Sequence, residues 1–245
     1  MALEWKDYLD AVAGMPARET CVKALELFEA ERRAEAEGTK ANRACDPESH
    51  RRGEQTNPPP CPRSNQGGGG KLAVDLGCGD GRDTVEMVKR GWRVVANDTS
   101  EEGLRRLVGR LEAMERSGEV GGAGAVGRVT LNRKPFTVME VPRCWFVNAS
   151  FSIPHCHRHE FGPMWARIVA AIEPGGRFAG QFFGVRDSWT GANDGVVRTF
   201  HTREEVERML VAFELEHFEE VEKPGKTSMG DPKYWHVFHV VGRKR

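Results

Sequence analysis

The chain has no excess of charge, no paired cysteines and no long apolar run. Of its 245 residues, 36 are Lys or Arg and 36 are Asp or Glu, so no net field draws it to nucleic acid or to an anionic membrane surface. Neither partner is expected. No apolar stretch approaches the roughly 18 residues of a membrane span. The opening "MALEWKDYLD" is acidic and carries no basic flank ahead of an apolar core, which leaves a soluble, cytoplasmic protein without a targeting peptide as the expectation. Six cysteines (Cys21, Cys45, Cys61, Cys78, Cys144 and Cys156) show neither a CxxC pair nor a regular spacing, so free thiols are expected rather than disulfide staples or a zinc knot.

Large apolar residues are also missing from one internal segment. Residues 34–70 hold almost none and end in three prolines and four glycines; such a composition cannot offset its ordering entropy, and the segment reads as a disordered insertion. Before it, residues 4–32 have helical spacing, with Val22, Leu25, Leu27 and Phe28 on one side. The length suits a single domain.

Beyond the insertion, strands and helices alternate regularly. "KLAVDLGCG" reads as a buried strand opening into a glycine loop, "RDTVEMVKRG" as a helix with a glycine stop, "WRVVANDTS" as a second strand, and the next helix has Thr99 and Glu102 in capping-box register. "RVTL" and "CWFVNASF" are further strands, "EFGPMWARIVAAIEPGG" a helix ended by Pro174 and two glycines, and "GRFAGQFFGV" another strand. A helix capped by Thr202 and Glu205 precedes two strands joined by a turn. Seven strands in this order imply an α/β, Rossmann-like, doubly wound sheet over residues 71–245, mostly parallel, with an antiparallel strand contributed by the closing hairpin.

The glycine loop lies where such sheets bind ligands, beyond the end of the first strand. Gly77, Gly79 and Gly81 permit sharp turns and close backbone approach, and the next helix N-terminus offers free N–H groups. A dinucleotide loop would carry glycine at the position of Arg82, and its pyrophosphate would be repelled by Asp75. An NAD-linked oxidoreductase is therefore disfavoured. Asp75 would instead meet a cationic group, and a ligand that pairs with an acid while placing a carboxylate at a helix N-terminus is an amino acid joined to a nucleoside; S-adenosyl-L-methionine fits. Asp98 follows the second strand, 21 residues beyond Gly77, near the spacing at which a carboxylate accepts from ribose hydroxyls; a helix cap is its other reading. Cys78 reads as a small residue in a tight turn.

"VDLGCGDGRDTVEMVKRGWRVVANDTSEEGLRRL" strongly resembles the first motifs of class I S-adenosylmethionine-dependent methyltransferases. "FVNASFSIPHC" is similar to their strand-4 motif and "IEPGGRFAGQFFG" to their turn into strand 5. The resemblance implies that Asp75, Gly77, Cys78, Gly79 and Gly81 form the methionine-side loop, that Asp98 binds ribose, that Thr99 packs on adenine, and that residues 1–33, with Trp5 and Tyr8, form a helical lid. "VNASFSIPHC", "FFGVRDSW" and "WKDYLDAVAG" look most like small-molecule enzymes of the tellurite-resistance and thiopurine type, acting on a soft nucleophile such as a thiol or a selenium, tellurium or arsenic species, as a monomer or weak homodimer. The chain departs from the pattern at Trp145 and Phe146, where the family commonly has Asp, and no acid is evident after strand 3.

Methyl transfer is an in-line displacement that asks mainly for alignment and exclusion of water, so the acceptor is weakly encoded. Asn148 and Phe151 of "NASF" stand at the ends of the amine-methylating motif without its prolines; Asn148 would orient an amine or contact the cofactor, or else fix the strand end. His155, Cys156, His157 and His159 crowd the same segment, as acceptor contacts, as a soft-metal site or as solvated side chains; without paired spacing no metal is expected. Arg186, Asp187 and Trp189 would line an acceptor pocket, with Arg186 pairing an anion, or form a plain loop, and His201 would either approach that pocket or pack a helix entrance. A small-amine N-methyltransferase and a non-catalytic S-adenosylmethionine-binding protein whose insertion recruits a partner are the alternatives.

Overall fold

The computed structural model describes residues 5–44, 70–119 and 124–245. Eight strands form one sheet: β1 (Leu72–Leu76), β2 (Arg93–Asn97), β3 (Val129–Asn132), β4 (Cys144–Ala149), β5 (Ile172–Gly184), β6 (Phe200–His201), β7 (Phe213–Lys226) and β8 (Pro232–Lys244), in the order β3-β2-β1-β4-β5-β8-β7. The seven expected strands all occur. The extra one, β6, is two residues long and pairs with the end of β5. β8 runs antiparallel to both β5 and β7, and the remaining pairs are parallel. The order reverses between β1 and β4, which opens a crevice beyond their C-terminal ends.

The helices are α1 (Trp5–Ala11), α2 (Glu19–Ala44), α3 (Arg82–Lys89), α4 (Glu101–Ser117), α5 (Arg158–Ala171) and α6 (Arg203–Met209). The single helix expected over residues 4–32 is two, because Gly14 turns the chain at φ 74° just before Pro16. The expected insertion also begins later than Ala34: α2 continues to Ala44. Residues 34–44 include four Ala and two Glu, which have helix propensity enough to extend the helix, and residues 34–38 are exposed; lack of apolar residues does not exclude helicity. Residues 45–69 lie outside the described part. Two further boundaries move: α5 ends at Ala171 and passes directly into β5, and Ser100, not Thr99, caps α4, accepting from the Gly103 N–H.

Strand alternation divides the core. Ala73 of β1, Val94 and Ala96 of β2, Phe146 of β4 and Ala179 of β5 pack against α2, α3 and α4, with Leu25, Phe28, Met87 and Leu107. Val74, Leu76, Val147, Phe178 and Phe182 point to the other face, against Phe161, Trp165 and Ile168 of α5 and Val206 of α6.

The glycine loop between β1 and α3 is held by close packing. At Gly81 (φ +82°) an added Cβ would stand 2.2 Å from Leu107 Cδ1 of α4, and at Gly77 (φ +69°) 2.4 Å from Ser152 Cβ. Gly91 has a similar φ of +86° but open space around it. Gly81→Ala should therefore combine left-handed strain with overpacking and cost about 2–5 kcal/mol, against about 1–2 kcal/mol for Gly91→Ala. Urea unfolding checks this, and in Gly81→Ala/Leu107→Ala the loss should be smaller than the sum of the single losses.

Candidate functional site

The crevice holds a cleft of about 520 Å³ at the ends of β1, β2 and β4. Its walls are Gly77 and Gly79 of the loop, Asn97 to Ser100 after β2, Lys134 to Thr137 after β3, Ser150 to Ser152 and His155 to His157 after β4, and Trp5, Tyr8 and Leu9 of α1. The Gly77 and Cys78 N–H groups both donate to the Asn97 carbonyl, at 2.7 and 2.9 Å, which pins the loop to the end of β2.

Asp98 stands in the cleft wall. Its Oδ2 accepts from the Gly79 N–H and its Oδ1 from the Ser100 N–H, both at 2.8 Å, so one carboxylate joins the glycine loop to the start of α4. Thr99 lines the cleft beside it. In place of an acid after the third strand, the wall is built from Lys134, Pro135, Phe136 and Thr137. The Asn97 amide reaches them: Nδ2 donates to the carbonyls of Asn132 and Lys134, at 3.0 and 2.9 Å.

Several expected site residues stand elsewhere. Asp75 is 1 % exposed and shares a face with Ala73, so strand parity turns it under α3 and away from the cleft. It accepts from Thr84 Oγ1 at 2.6 Å and from Asn148 Nδ2 at 2.9 Å. Asn148, its register partner on β4, is fully buried; it donates also to Asp83 Oδ2 at 3.0 Å and thus cannot orient an acceptor. Burial and the neighbouring Asp83 push the Asp75 carboxyl up to about 7, against the lowering effect of the Thr84 and Asn148 hydrogen bonds. Cys78 has its side chain buried behind the loop among the apolar residues of α2, α3 and α4, where burial raises its thiol pKa. Arg186, just after β5, is turned onto the hairpin, with Nε and Nη2 on the Glu222 carboxylate and Nη2 also on Glu220. Asp187 forms a fully buried ion pair with Lys233.

The histidine and cysteine segment divides too. His155 and Cys156 line the cleft with His157, whereas His159 is exposed and only faces the His157 ring. His155 packs edge-on against Trp5 at 5.7 Å and its Nδ1 lies 3.3 Å from the Val197 carbonyl. That carbonyl can only accept, so the neutral ring carries its proton on Nδ1 and presents Nε2 as an acceptor. Burial, helped by Arg198, pushes its pKa down to about 4. His201 is buried against Phe161 outside the cleft. The described residues bring Glu220, Glu222 and His236 within ligating distance of one another, but the Arg186 guanidinium occupies that group of carboxylates.

Phe151, an expected acceptor contact, has an unusual backbone: it is the one described non-glycine residue with positive φ, 54°. Gln181 Oε1 accepts its N–H at 2.8 Å while Gln181 Nε2 donates to Thr20 of α2, and the Arg18 guanidinium lies 4.5 Å from its ring. Phe151 lines both the cleft and a second, more open cavity of about 630 Å³ between α2 and the β7–β8 hairpin.

No protein-family model and no curated protein matches the chain. Solved structures do. TehB from Haemophilus influenzae superposes with a TM-score of 0.56 at 14% identity, covering 72% of this chain and 58% of TehB, so the chain spans less than two thirds of that protein. A Methanosarcina mazei SAM-dependent methyltransferase gives 0.52 at 18% identity over 71% and 92% of the two chains. The chain has the fold of class I S-adenosylmethionine-dependent methyltransferases. A Burkholderia thailandensis 1,6-didemethyltoxoflavin-N1-methyltransferase, solved with 1,6-didemethyltoxoflavin and S-adenosylhomocysteine, shares this methyltransferase fold with a TM-score of 0.51 at 23% identity over 72% of each chain. Among the described residues no helix is long and apolar enough to cross a membrane.

Because the folded pKa of His155 lies below its ordinary value of 6.5, its burial as a neutral ring stabilises the fold above that pH and the contribution is lost as pH falls toward 4. His201 behaves in the same sense. His155→Gln should reduce the loss of stability between pH 7 and 4.5, measured by urea unfolding at both values, and NMR should show the wild-type ring neutral down to about pH 5.

Proposed function

We propose that this protein transfers the methyl group of S-adenosyl-L-methionine to a small molecule bearing a soft nucleophile, a thiol or a selenium, tellurium or arsenic species. The observation that carries the reading is the Asp98 carboxylate in the wall of a switch-point cleft, bonded to the glycine loop on one side and to the head of α4 on the other. Each oxygen keeps a lone pair after its backbone bond, which suits a ribose diol. Gly77 and Gly79, without side chains, leave room for the methionine end, and Thr99 with the Lys134–Thr137 wall flanks the base. Asp75 enters this scheme as a support beneath the loop, through Thr84 and Asn148, in place of a direct contact.

The donor supplies an electrophilic methyl on sulfur, and the chain's own residues do the rest. Trp5, Tyr8 and Leu9 cover the cleft and exclude water. Ser150 to Ser152, His155 and Cys156 form the end on which an acceptor would approach. His155, held near 4, is a poor proton acceptor, and burial raises the Cys156 thiol pKa. Such surroundings favour a nucleophile that is already unprotonated, which softens the need for a general base. The amine reading loses support because Asn148, the residue it rested on, is buried against two carboxyl groups.

Asp98→Ala should weaken S-adenosylmethionine binding about 10- to 100-fold by calorimetry, the scale of lost charge-assisted hydrogen bonds; unchanged affinity would remove Asp98 from the site. With a labelled methyl donor, a panel of tellurite, selenite, arsenite, thiols, halide and small amines should show transfer to a thiol or metalloid species. Tight donor binding with no transfer across that panel would instead make the protein a cofactor-binding module.

A further inference from the structure

The group beneath the glycine loop is short of positive charge. Asp75 and Asp83 are 1 % and 3 % exposed and share one amide, Asn148 Nδ2, at 2.9 and 3.0 Å. Their other donors are neutral: Thr84 Oγ1 on Asp75 at 2.6 Å and the Arg18 backbone N–H on Asp83 at 2.8 Å. Among the described residues no cationic side chain bonds to either carboxyl. The surrounding elements do not supply one: α2 brings Cys21, the loop brings Cys78 and Asp80, and the end of β2 brings Asp98. Arg82 of α3 bonds to the Pro16 carbonyl and meets Asp83 only through space, Arg110 of α4 pairs with Asp80, Arg90 pairs with Glu86 and Glu29, and the Arg18 guanidinium lies over Phe151. Two buried carboxylates this close resist double ionisation, and the raised pKa of Asp75, about 7, agrees. Asp75 thus keeps a proton around neutrality, two residues before Gly77, and its carboxyl feels the Asp98 carboxylate of the cleft wall.

We propose that the Asp75–Asp83 pair senses the charge of the ligand in the cleft: a cationic sulfonium donor expels the shared proton, and the neutral thioether product lets it return. The inference rests on the methyl-donor reading above. In the transfer the acceptor's electron pair forms the new bond to the methyl carbon, the carbon–sulfur pair stays on sulfur, and the sulfonium charge disappears. The ammonium and carboxylate of the amino acid are common to donor and product, so what distinguishes the two is the methyl group and the positive charge it places on sulfur. Reprotonation of the pair then removes the attraction that held the donor, and the site parts with product more readily.

Calorimetry of the full chain with S-adenosylmethionine and with S-adenosylhomocysteine, each in phosphate and in Tris at pH 7, counts the protons released. If the donor charge lowers the pair by about one unit, donor binding should release roughly 0.4 proton more per site than product binding. Asp83→Asn should remove the difference. From pH 6 to pH 8 the donor-to-product affinity ratio of the wild-type protein should rise about fivefold by the same linkage, a readout that stands even where the variant does not fold. Equal proton release for the two ligands with a constant affinity ratio overturns the sensor and leaves the methyl-donor reading intact. Failure of both ligands to bind overturns the reading itself and the sensor with it.

Discussion

The C-terminal end of the sheet depends on the pairing of Asp75 with Asn148. They are register neighbours on adjacent parallel strands, and parity sends both side chains to the face covered by α2 and α3. There Asn148 bridges to Asp83, Thr84 bonds back to Asp75, and the residue just ahead of α2 reaches Asp83 through the Arg18 N–H. One polar contact between two strands thereby fixes four elements: the strand leading into the glycine loop, the helix leading out of it, the strand leading into the segment after β4, and the N-terminal helix that crosses over them. A buried carboxyl tolerates such a place only when its oxygens have donors, so the pairing constrains the chain more tightly than an apolar contact of the same size.

A second polar anchor holds α2 farther along its length. Arg177 of β5, 1 % exposed, donates to Glu31 of α2 and to Glu216 of β7, with its guanidinium 4.4 Å from the Phe28 ring. Most of the other ion pairs lie on the surface, where each contributes little. This one is desolvated, bidentate on both carboxylates and stacked, so removing a partner would strand a buried charge. With α2 fixed at both points, Thr20 can hold Gln181 and Gln181 can hold Phe151 in its left-handed conformation. The wall between the two cavities is thus positioned from the far face of the sheet.

The βα alternation, the closing hairpin and the glycine loop were legible in the sequence because periodicity and turn chemistry are local properties. The Thr202 capping box was legible for the same reason. Side-chain direction was less so. Motif spacing alone does not tell that Asp75 and Asn148 turn beneath the loop while Asp98, one residue past the end of β2, turns into the cleft. The alternation of Ala73, Val74, Asp75 and Leu76 carries that signal: Ala73 and Val74 sit on opposite faces, and Asp75 follows Ala73. Arg186 and Asp187 were misplaced for a different reason. Their partners, Glu222, Glu220 and Lys233, lie more than thirty positions away on the hairpin, and no local pattern announces them. The run of residues 34–44 shows that low hydrophobicity and helix are compatible.

The buried Lys233–Asp187 pair has a bearing on which parts of the fold can change. The Lys233 ammonium lies 3.5 Å from the Trp189 ring centre, 4.3 Å from that of Trp235 and 5.7 Å from that of Phe183, and Asp187 also accepts from the Trp189 and His236 N–H groups. The segment after β5 is therefore locked to the hairpin at several points, and substitutions there disturb a desolvated charge before they alter any pocket. α1 is attached by the Gly14 turn, the buried Leu9, a surface ion pair from Asp10 to Arg106 of α4 and contacts along the cleft. The α1 wall of the cleft can therefore change more readily than the loop after β5, because only the former can drift without first dismantling a buried ion pair.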